Sequence, residues 1–233
     1  MKSVLITGAA QGFGRALFDL YIKKGWLVFP LVRKANDADE LKNIAPQRCF
    51  PILADLRDKD LEEKIAETLS TKTDSLDYLI NNAGYVRKII GILPITQEDL
   101  SEHLTTNLIG AWNCAKAAFP FLEKSNQGII INISSRRGTF SFNTATPFNR
   151  ANPYKISKAA LNMLTLLMDQ EFSEHGIRVL PVHPGRLKTR VAPPDADTLP
   201  EVAAQKLYDW INKIDSSIPC KLYDVVEEKF IDW

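Results

Sequence analysis

The octapeptide TGAAQGFG, residues 7–14, joins the apolar run SVLIT to an amphipathic segment. Its glycines, Gly8, Gly12 and Gly14, follow a predicted strand and open a predicted helix, the setting of a dinucleotide-binding turn. Glycine lets the backbone approach a pyrophosphate closely, and the positive end of the helix favours phosphate. The alternative is a plain glycine-rich turn, but a position directly after the first strand favours the binding site. The predicted contacts come from Thr7, Gly8, Gln11, Gly12, Phe13 and Gly14.

Apolar runs alternate with amphipathic stretches along the whole chain. Six runs lack in-out alternation, as expected of strands buried on both faces: SVLIT, LVFPLV, CFPILA, LDYLI, GIIINI and IRVLPV. Helices are predicted at 13–24, 56–70, 97–124, 154–175 and 200–214. This order predicts an α/β fold, a doubly wound parallel sheet of Rossmann type with helices on both faces. A chain of 233 residues suits one domain, 1–233, with substrate loops at 136–152 and 186–199 beyond the strand ends.

Bulk properties argue against several classes of partner. The net charge is +1, so no overall field favours nucleic acid or an acidic membrane. No apolar run approaches the roughly 18 residues that span a bilayer, and the first residues are too short for a signal peptide. Three scattered cysteines indicate reduced thiols in a cytoplasmic protein. Three histidines in unrelated contexts give no expected metal site.

Further motifs follow the glycine turn, whose spacing is Thr-Gly-x-x-x-Gly-x-Gly. NNAG at 81–84, NISS at 132–135 and PVHPG at 181–185 each end a predicted strand, and NPYKISK at 152–158 opens a helix. In these motifs the chain resembles the short-chain dehydrogenase/reductase family. The resemblance implies a catalytic set of Asn107, Ser135, Tyr154 and Lys158. It also implies cofactor contacts from Asp55, Leu56, Asn82, Ala83, Gly84, Tyr154, Lys158, Pro184, Gly185 and Thr189.

Tyr154 and Lys158 lie four residues apart, so they share one helical face. Such pairs also recur by chance on wet helix faces, which is the alternative to a working pair. An ammonium ~5 Å from the phenol, at an effective dielectric of ~20, favours the phenolate by about 3 kcal/mol. That would lower the tyrosine pKa by about two. Because the other motifs come in order, we interpret Tyr154 as the acid–base residue and Lys158 as the group that lowers its pKa.

Three features leave alternatives or depart from the family pattern. Asp55 ends the third strand, where the family accepts a hydrogen bond from adenine; the alternative is a helix N-cap. Asn107 corresponds to the asparagine that holds a water in the family's proton relay; the alternative is a solvent-facing residue. Ser135 and Tyr154 are 19 positions apart, where the family has about a dozen. The catalytic geometry survives if the extra residues bulge outward.

The end of the second strand, LVRK, indicates the cofactor. Val32 stands where NAD-preferring relatives carry an acid, and Arg33 follows, as in NADP-preferring relatives. An arginine grips a 2'-phosphate that an acid would repel. The alternative is a surface Arg-Lys pair. Gln11 occupies the position where some NADP-preferring members place a second basic residue. We therefore expect NADP(H), with NAD(H) less favoured.

The leading prediction of function is an NADPH-dependent carbonyl reductase. Tyr154 would donate a proton to the substrate oxygen, Ser135 would hydrogen-bond it, and Lys158 would also bind the nicotinamide ribose. The alternatives are an NAD-dependent secondary-alcohol dehydrogenase and a non-catalytic NADPH-binding regulatory protein. The ending CKLYDVVEEKFIDW resembles small carbonyl reductases of the C-factor type and favours a homodimer, with a monomer or tetramer as alternatives.

Five basic residues flank the predicted site. They are Arg136, Arg137, Arg186, Lys188 and Arg190. They would either attract an anionic carbonyl substrate or remain solvated and paired with Asp195, Asp197 or the cofactor phosphates. The substrate itself is not specified by any motif.

Overall fold

Eight strands form one sheet in the computed structural model, which describes residues 1–145, 152–189 and 196–233. The strand order is β3-β2-β1-β4-β5-β6-β7-β8. Strands β1 to β7 pair in parallel, and only β8 is antiparallel to its neighbour. Their bounds are β1 Ser3–Thr7, β2 Leu27–Val32, β3 Ile52–Leu53, β4 Tyr78–Asn81, β5 Gly128–Ile133, β6 Ile177–His183, β7 Leu222–Asp224 and β8 Lys229–Ile231.

Helices cover both faces of this sheet. Their bounds are α1 Gly12–Lys23, α2 Ala35–Ile44, α3 Leu61–Ser70, α4 Gln97–Leu104, α5 Gly110–Leu122, α6 Phe140–Ala145, α7 Asn152–Phe172 and α8 Pro200–Ile211. Two apolar cores result. One contains side chains of α1, α2 and α8, and the other contains side chains of α3, α5 and α7. Strands between two cores are buried on both faces, as β1 and β5 are throughout. The predicted Rossmann-type α/β fold with one sheet is confirmed.

Two predicted elements are shorter than the sequence pattern indicated. Of the run CFPILA only Ile52 and Leu53 form strand β3, which lies at the edge of the sheet, although the N–H groups of Phe50 and Ala54 also donate to β2 carbonyls. The helix predicted from residue 56 begins only at Leu61. Before it, the chain turns: the Asp55 N–H donates to the Asp58 carboxylate, and the Arg57 N–H donates to Asp55. The N-cap position of α3 is Asp60, so the N-cap alternative for Asp55 is wrong.

Four described elements were absent from the prediction. Helix α2 fully buries only Leu41, so few large apolar residues mark its core-facing side in the sequence. Helix α6 lies inside the predicted loop 136–152 and buries no residue. Strands β7 and β8 have three residues each. The antiparallel β8 adds a C-terminal hairpin to an otherwise parallel sheet. No helix within the described ranges is long and apolar enough to cross a membrane.

Candidate active site

The glycine turn sits beside the NNAG segment and is tied to it. Gly8 and Gly12 have φ values of 68° and 57°, which strongly favour glycine. The Thr7 hydroxyl accepts the N–H groups of Asn82 and Ala83, and the Asn82 amide donates to the carbonyls of Thr7 and Gly8. A Cβ on Gly14 would lie 2.2 Å from the Gly8 carbonyl oxygen. Both motifs therefore build one tightly packed turn at the carboxyl ends of β1 and β4.

The first turn of α1 suits a phosphate. Gln11 occupies the N-cap position without a side-chain hydrogen bond, and no acid lies in the first turn. The first N–H groups of a helix lack intrahelical partners, and together with the helix dipole they attract anions. The Phe13 side chain is buried in the core, so only its backbone can serve a ligand. Thr189 lies against Gly12, since a Cβ there would be 3.4 Å from its methyl group.

The end of β2 carries an exposed arginine beside Asp55. The Arg33 side chain is 70% exposed, and its guanidinium is 3.8 Å from the Asp55 carboxylate. Arg57 donates to both oxygens of that carboxylate at 2.9 Å, and this pairing lowers the pKa of Asp55 to about 2. Asp55 is therefore ionised and able to accept a further hydrogen bond. Arg57 was not among the predicted site residues, although its position two residues after Asp55 is compatible with a local ion pair.

The remaining predicted cofactor contacts are Leu56, Gly84, Pro184 and Gly185, and their surroundings differ. The Leu56 side chain is buried against Gly110 on α5, so only its backbone can face a cofactor. Pro184 and Gly185 follow β6 and are partly exposed, and Gly185 has a φ of 92°. Gly84 is exposed, and a Cβ on it would lie 3.9 Å from the Lys158 Nζ.

Ser135, Tyr154 and Lys158 come together at the carboxyl end of β5. The Ser135 hydroxyl lies near enough to the Tyr154 phenol to act on its pKa. The Lys158 Nζ lies 5.7 Å from the centre of the Tyr154 ring and donates to the Ile133 carbonyl at 2.7 Å. Lys158 is only 4% exposed, whereas Tyr154 is partly exposed. The two are thus not separate residues on a wet helix face.

A π-helical turn, Thr105–Ile109, joins α4 to α5 and contains Asn107. Such turns widen a helix locally and are frequent at functional sites. The Asn107 amide donates to the Tyr85 carbonyl and to the Ser157 hydroxyl, both at 2.9 Å, and accepts the Tyr85 N–H at 2.6 Å. Asn107 is 2% exposed, so the solvent-facing alternative is wrong. Its part in a water relay stays a prediction.

The electrostatics of the pair differ from the expectation. Burial raises the pKa of the Tyr154 phenol, although the Ser135 hydrogen bond and the Arg137 charge act to lower it. The expected lowering of this pKa by Lys158 is wrong for the protein alone. Burial also lowers the pKa of Lys158, to about 8, and its ammonium is engaged by the Ile133 carbonyl. In this state Tyr154 is a protonated phenol at neutral pH, which suits a proton donor.

The long interval between Ser135 and Tyr154 does not separate them, because a turn after Ser135 is clamped onto α7. Asn162 on α7 accepts from the Ser134 hydroxyl and donates to the Gly138 carbonyl. A Cβ on Gly138 would lie 2.7 Å from the Lys158 carbonyl carbon. The extra residues therefore follow the clamp; part of them forms α6, and 146–151 lie outside the described residues.

The basic residues around the site have different surroundings. The Arg136 guanidinium lies 5.2 Å from the centre of the Phe142 ring. Arg186 and Lys188 act with the Thr198 hydroxyl to lower the pKa of Asp197, with the Thr198 hydrogen bond the largest cause. Arg190 and Asp195 lie outside the described residues. Within the described ranges no group of three or more histidine, cysteine or acidic side chains could hold a metal ion.

Comparison with known proteins extends these observations. A family model described as short chain dehydrogenase matches residues 2–199. The oxidoreductase UcpA of Salmonella typhimurium is 33% identical over 198 residues, covering 82% of this chain and 71% of the relative. The serine 3-dehydrogenase of Agrobacterium fabrum is 31% identical over 215 residues, covering 91% of this chain and 82% of the relative.

Solved structures cover the C-terminal tail as well. The NADPH-bound carbonyl reductase from chicken fatty liver has a TM-score of 0.90 at 28% identity, covering 100% of this chain and 99% of that one. The carbonyl reductase Sniffer of D. melanogaster has a TM-score of 0.90 at 25% identity, with 100% of both chains covered. The family match begins before the glycine turn, includes Tyr154 and Lys158 on α7, and ends at residue 199. The chain therefore belongs to the short-chain dehydrogenase family, as its motifs predicted.

Proposed function

We propose that this protein is an NADPH-dependent carbonyl reductase, which reduces an aldehyde or ketone to an alcohol. The observation that carries the proposal is the proximity of Ser135 to the Tyr154 phenol beside the buried Lys158, at the strand ends that also hold the glycine turn. The NADPH-bound chicken carbonyl reductase, with the same fold over the whole chain, supports the cofactor and the reaction class.

The residues fit NADP(H) in three respects. The glycine turn and the uncapped first turn of α1 suit the pyrophosphate. Asp55 has lone pairs for the adenine amino group, and the exposed Arg33 suits the 2'-phosphate.

When bound, the reduced nicotinamide supplies a hydride to the substrate carbon. Tyr154 donates the proton to the substrate oxygen, and Ser135 holds that oxygen by a hydrogen bond. Lys158 binds the nicotinamide ribose, and Asn107 holds the water that returns a proton to the site.

Two other functions are kept as alternatives. An NAD-dependent secondary-alcohol dehydrogenase would use the same residues in reverse, but Val32 and Arg33 replace the acid that favours NAD. A regulatory protein that binds NADPH without turnover has no need of Ser135 and Tyr154 side by side next to a buried lysine.

The experiment that tests the proposed function is a carbonyl screen. NADPH oxidation is followed with aldehydes, ketones, quinones and keto acids, and repeated with NADH. We expect turnover of at least one class with NADPH. NADPH binding without carbonyl-dependent oxidation across the panel would favour the regulatory protein, and a consistent preference for NADH would favour the alcohol dehydrogenase.

Arg33→Ala is expected to weaken NADPH binding by roughly 1.5–3 kcal/mol, the range for a hydrogen bond to a charged group. NADH binding should change little, because NADH lacks the 2'-phosphate. The measurement is the Kd of each cofactor by nicotinamide fluorescence. The matched control is Lys34→Ala, which removes the neighbouring exposed charge and should leave the NADPH/NADH ratio unchanged. Equal losses for both cofactors in Arg33→Ala would show that Arg33 contacts something other than the phosphate.

NADPH binding is expected to weaken as pH rises through about 8. Lys158 has a pKa of about 8 in the protein, so its ammonium is charged at neutral pH and loses its proton above that value. Loss of the proton removes a donor for the ribose. Fluorescence titrations across this range measure the effect, with Lys158→Arg as the variant that stays charged throughout. At pH ~9, about one pH unit above this pKa, most of the lysine is neutral. If the unmodified protein keeps a constant Kd for NADPH beyond that pH, this role for Lys158 is contradicted.

A homodimer is our proposal for the assembly, with a monomer or tetramer as alternatives. The π-helical turn before α5 and the helix α7 expose an apolar face that includes Ile109, Met163 and Leu167. A second copy of the chain would bury this face. Light scattering of the purified protein distinguishes the three states.

We also propose a cytoplasmic location, because Cys49, Cys114 and Cys220 are free thiols whose burial raises each pKa to about 12.

A further inference from the structure

Two adjacent arginines follow Ser135, and they have different surroundings. The Arg136 guanidinium stacks over the Phe142 ring, beside a cavity of about 460 Å³ that Asp224, Glu227 and Lys229 also line. Arg136 therefore belongs to the boundary between α6 and the C-terminal hairpin. Arg137 does not line that cavity. Its charge instead acts on Tyr154 and on Lys155. It lowers the pKa of Tyr154, which burial raises by a larger amount. It also lowers the pKa of Lys155, which burial lowers by a larger amount.

The backbone of Arg137 is fixed next to the reacting groups. Its N–H donates to the Ser135 hydroxyl at 3.2 Å, and its carbonyl accepts from the Asn143 amide at 2.8 Å. The following Gly138 packs against the backbone of Lys158. The Arg137 side chain therefore leaves the backbone next to the Ser135 hydroxyl, the group that would bind the substrate oxygen.

Arg137 is half-buried, and among the described residues no acidic side chain forms an ion pair with it. Two arginines that are more exposed do have such partners: Arg57 pairs with Asp55, and Arg87 pairs with Asp99. A guanidinium that has lost part of its hydration without gaining a carboxylate is set up to receive an anion from outside the chain. Planar bidentate recognition makes a carboxylate a suitable partner.

We propose that Arg137 is a substrate-binding residue, which selects carbonyl compounds that carry a carboxylate or similar anionic group close to the reacting carbonyl. The substrate carbonyl would lie on Ser135 and Tyr154 while the anionic end contacts the guanidinium two residues further along the chain. This inference rests on the proposed carbonyl reduction and names the substrate class for the same site. A short keto acid is the simplest compound of this class.

The test compares a keto acid with its neutral methyl ester at saturating NADPH. The reported quantity is the ratio of kcat/KM for the acid to that for the ester. We expect Arg137→Gln to lower this ratio by about tenfold to a hundredfold, the loss expected for a hydrogen bond to a charged group. Arg136→Gln is the matched control, one position away and directed at Phe142, and it should leave the ratio unchanged. In the unmodified protein, kcat/KM for the acid should fall between low and physiological salt, whereas kcat/KM for the ester should not.

A ratio that is the same in Arg137→Gln and in the unmodified protein overturns the proposal, and so does a preference of the unmodified protein for the ester. A second arm separates this failure from a failure of the proposed reaction. A short unreactive carboxylate and its carboxamide are titrated into the NADPH-loaded protein while the thermal midpoint is followed. Stabilisation by the carboxylate that disappears in Arg137→Gln but persists in Arg136→Gln supports the anion site even if no carbonyl is reduced. Equal responses to the two compounds refute it whatever the activity.

Discussion

Tyr154→Phe is expected to lower kcat for carbonyl reduction by about 10²–10⁴-fold, the usual contribution of a positioned general acid. The ring that packs near Lys158 remains, and only the hydroxyl near Ser135 is lost. Because burial raises the pKa of this phenol, the native side chain is protonated at neutral pH and already carries the proton that it donates. Steady-state kinetics at saturating NADPH measures the loss.

The same variant should bind NADPH nearly as well as the native protein, since no proposed cofactor contact depends on the phenol oxygen alone. A second tyrosine provides the control. Tyr208→Phe removes a hydroxyl on α8, where the ring packs against Tyr21 and Trp26, and should leave kcat unchanged. If Tyr154→Phe retains most of its kcat, the assignment of Tyr154 as the proton donor is wrong.

The sheet and the gathering of the motifs could be predicted because both follow from local patterns. Buried parallel strands are short continuous apolar runs, and all six predicted runs became strands of one sheet. The glycine turn, NNAG and NISS each come directly after a strand. Parallel strands present their carboxyl ends on one edge, so motifs distant in sequence meet there without any further information. Ser135 is one of these strand-end residues, whereas its pairing with Tyr154 on α7 was implied by the family resemblance.

Features that depend on tertiary contacts were not predictable in the same way. The clamp from Asn162 to Ser134 and Gly138 joins residues that no known spacing connects. The π-helical turn at Asn107 has no pattern of its own within a continuous amphipathic stretch. The pKa of Tyr154 depends on how deeply its hydroxyl is buried, and an estimate from the Lys158 charge alone therefore gave the wrong direction.

The glycine turn leads to a second prediction with a large effect. A Cβ at Gly14 would lie 2.2 Å from the Gly8 carbonyl oxygen and 2.5 Å from the Asn82 amide nitrogen. The first of these is a backbone atom, so no side-chain rotation relieves the overlap. The strand, the turn and the first turn of α1 would have to move apart, and the N–H groups at the start of the helix would shift with them.

Gly14→Ala is therefore expected to lower the free energy of unfolding by about 1–3 kcal/mol, the usual cost of overpacking, and to weaken NADPH binding strongly. Thermal unfolding and fluorescence titration measure the two effects. Gly176→Ala is the matched control: Gly176 has a φ of 72° and nothing within 4 Å of an added Cβ. It should lose about 1–2 kcal/mol through left-handed strain alone and keep native NADPH affinity, because it lies before β6 and away from the turn. A Gly14→Ala protein that binds NADPH with native affinity would show that the pyrophosphate does not lie on this turn, since the substitution cannot be accommodated without moving the groups proposed to hold it.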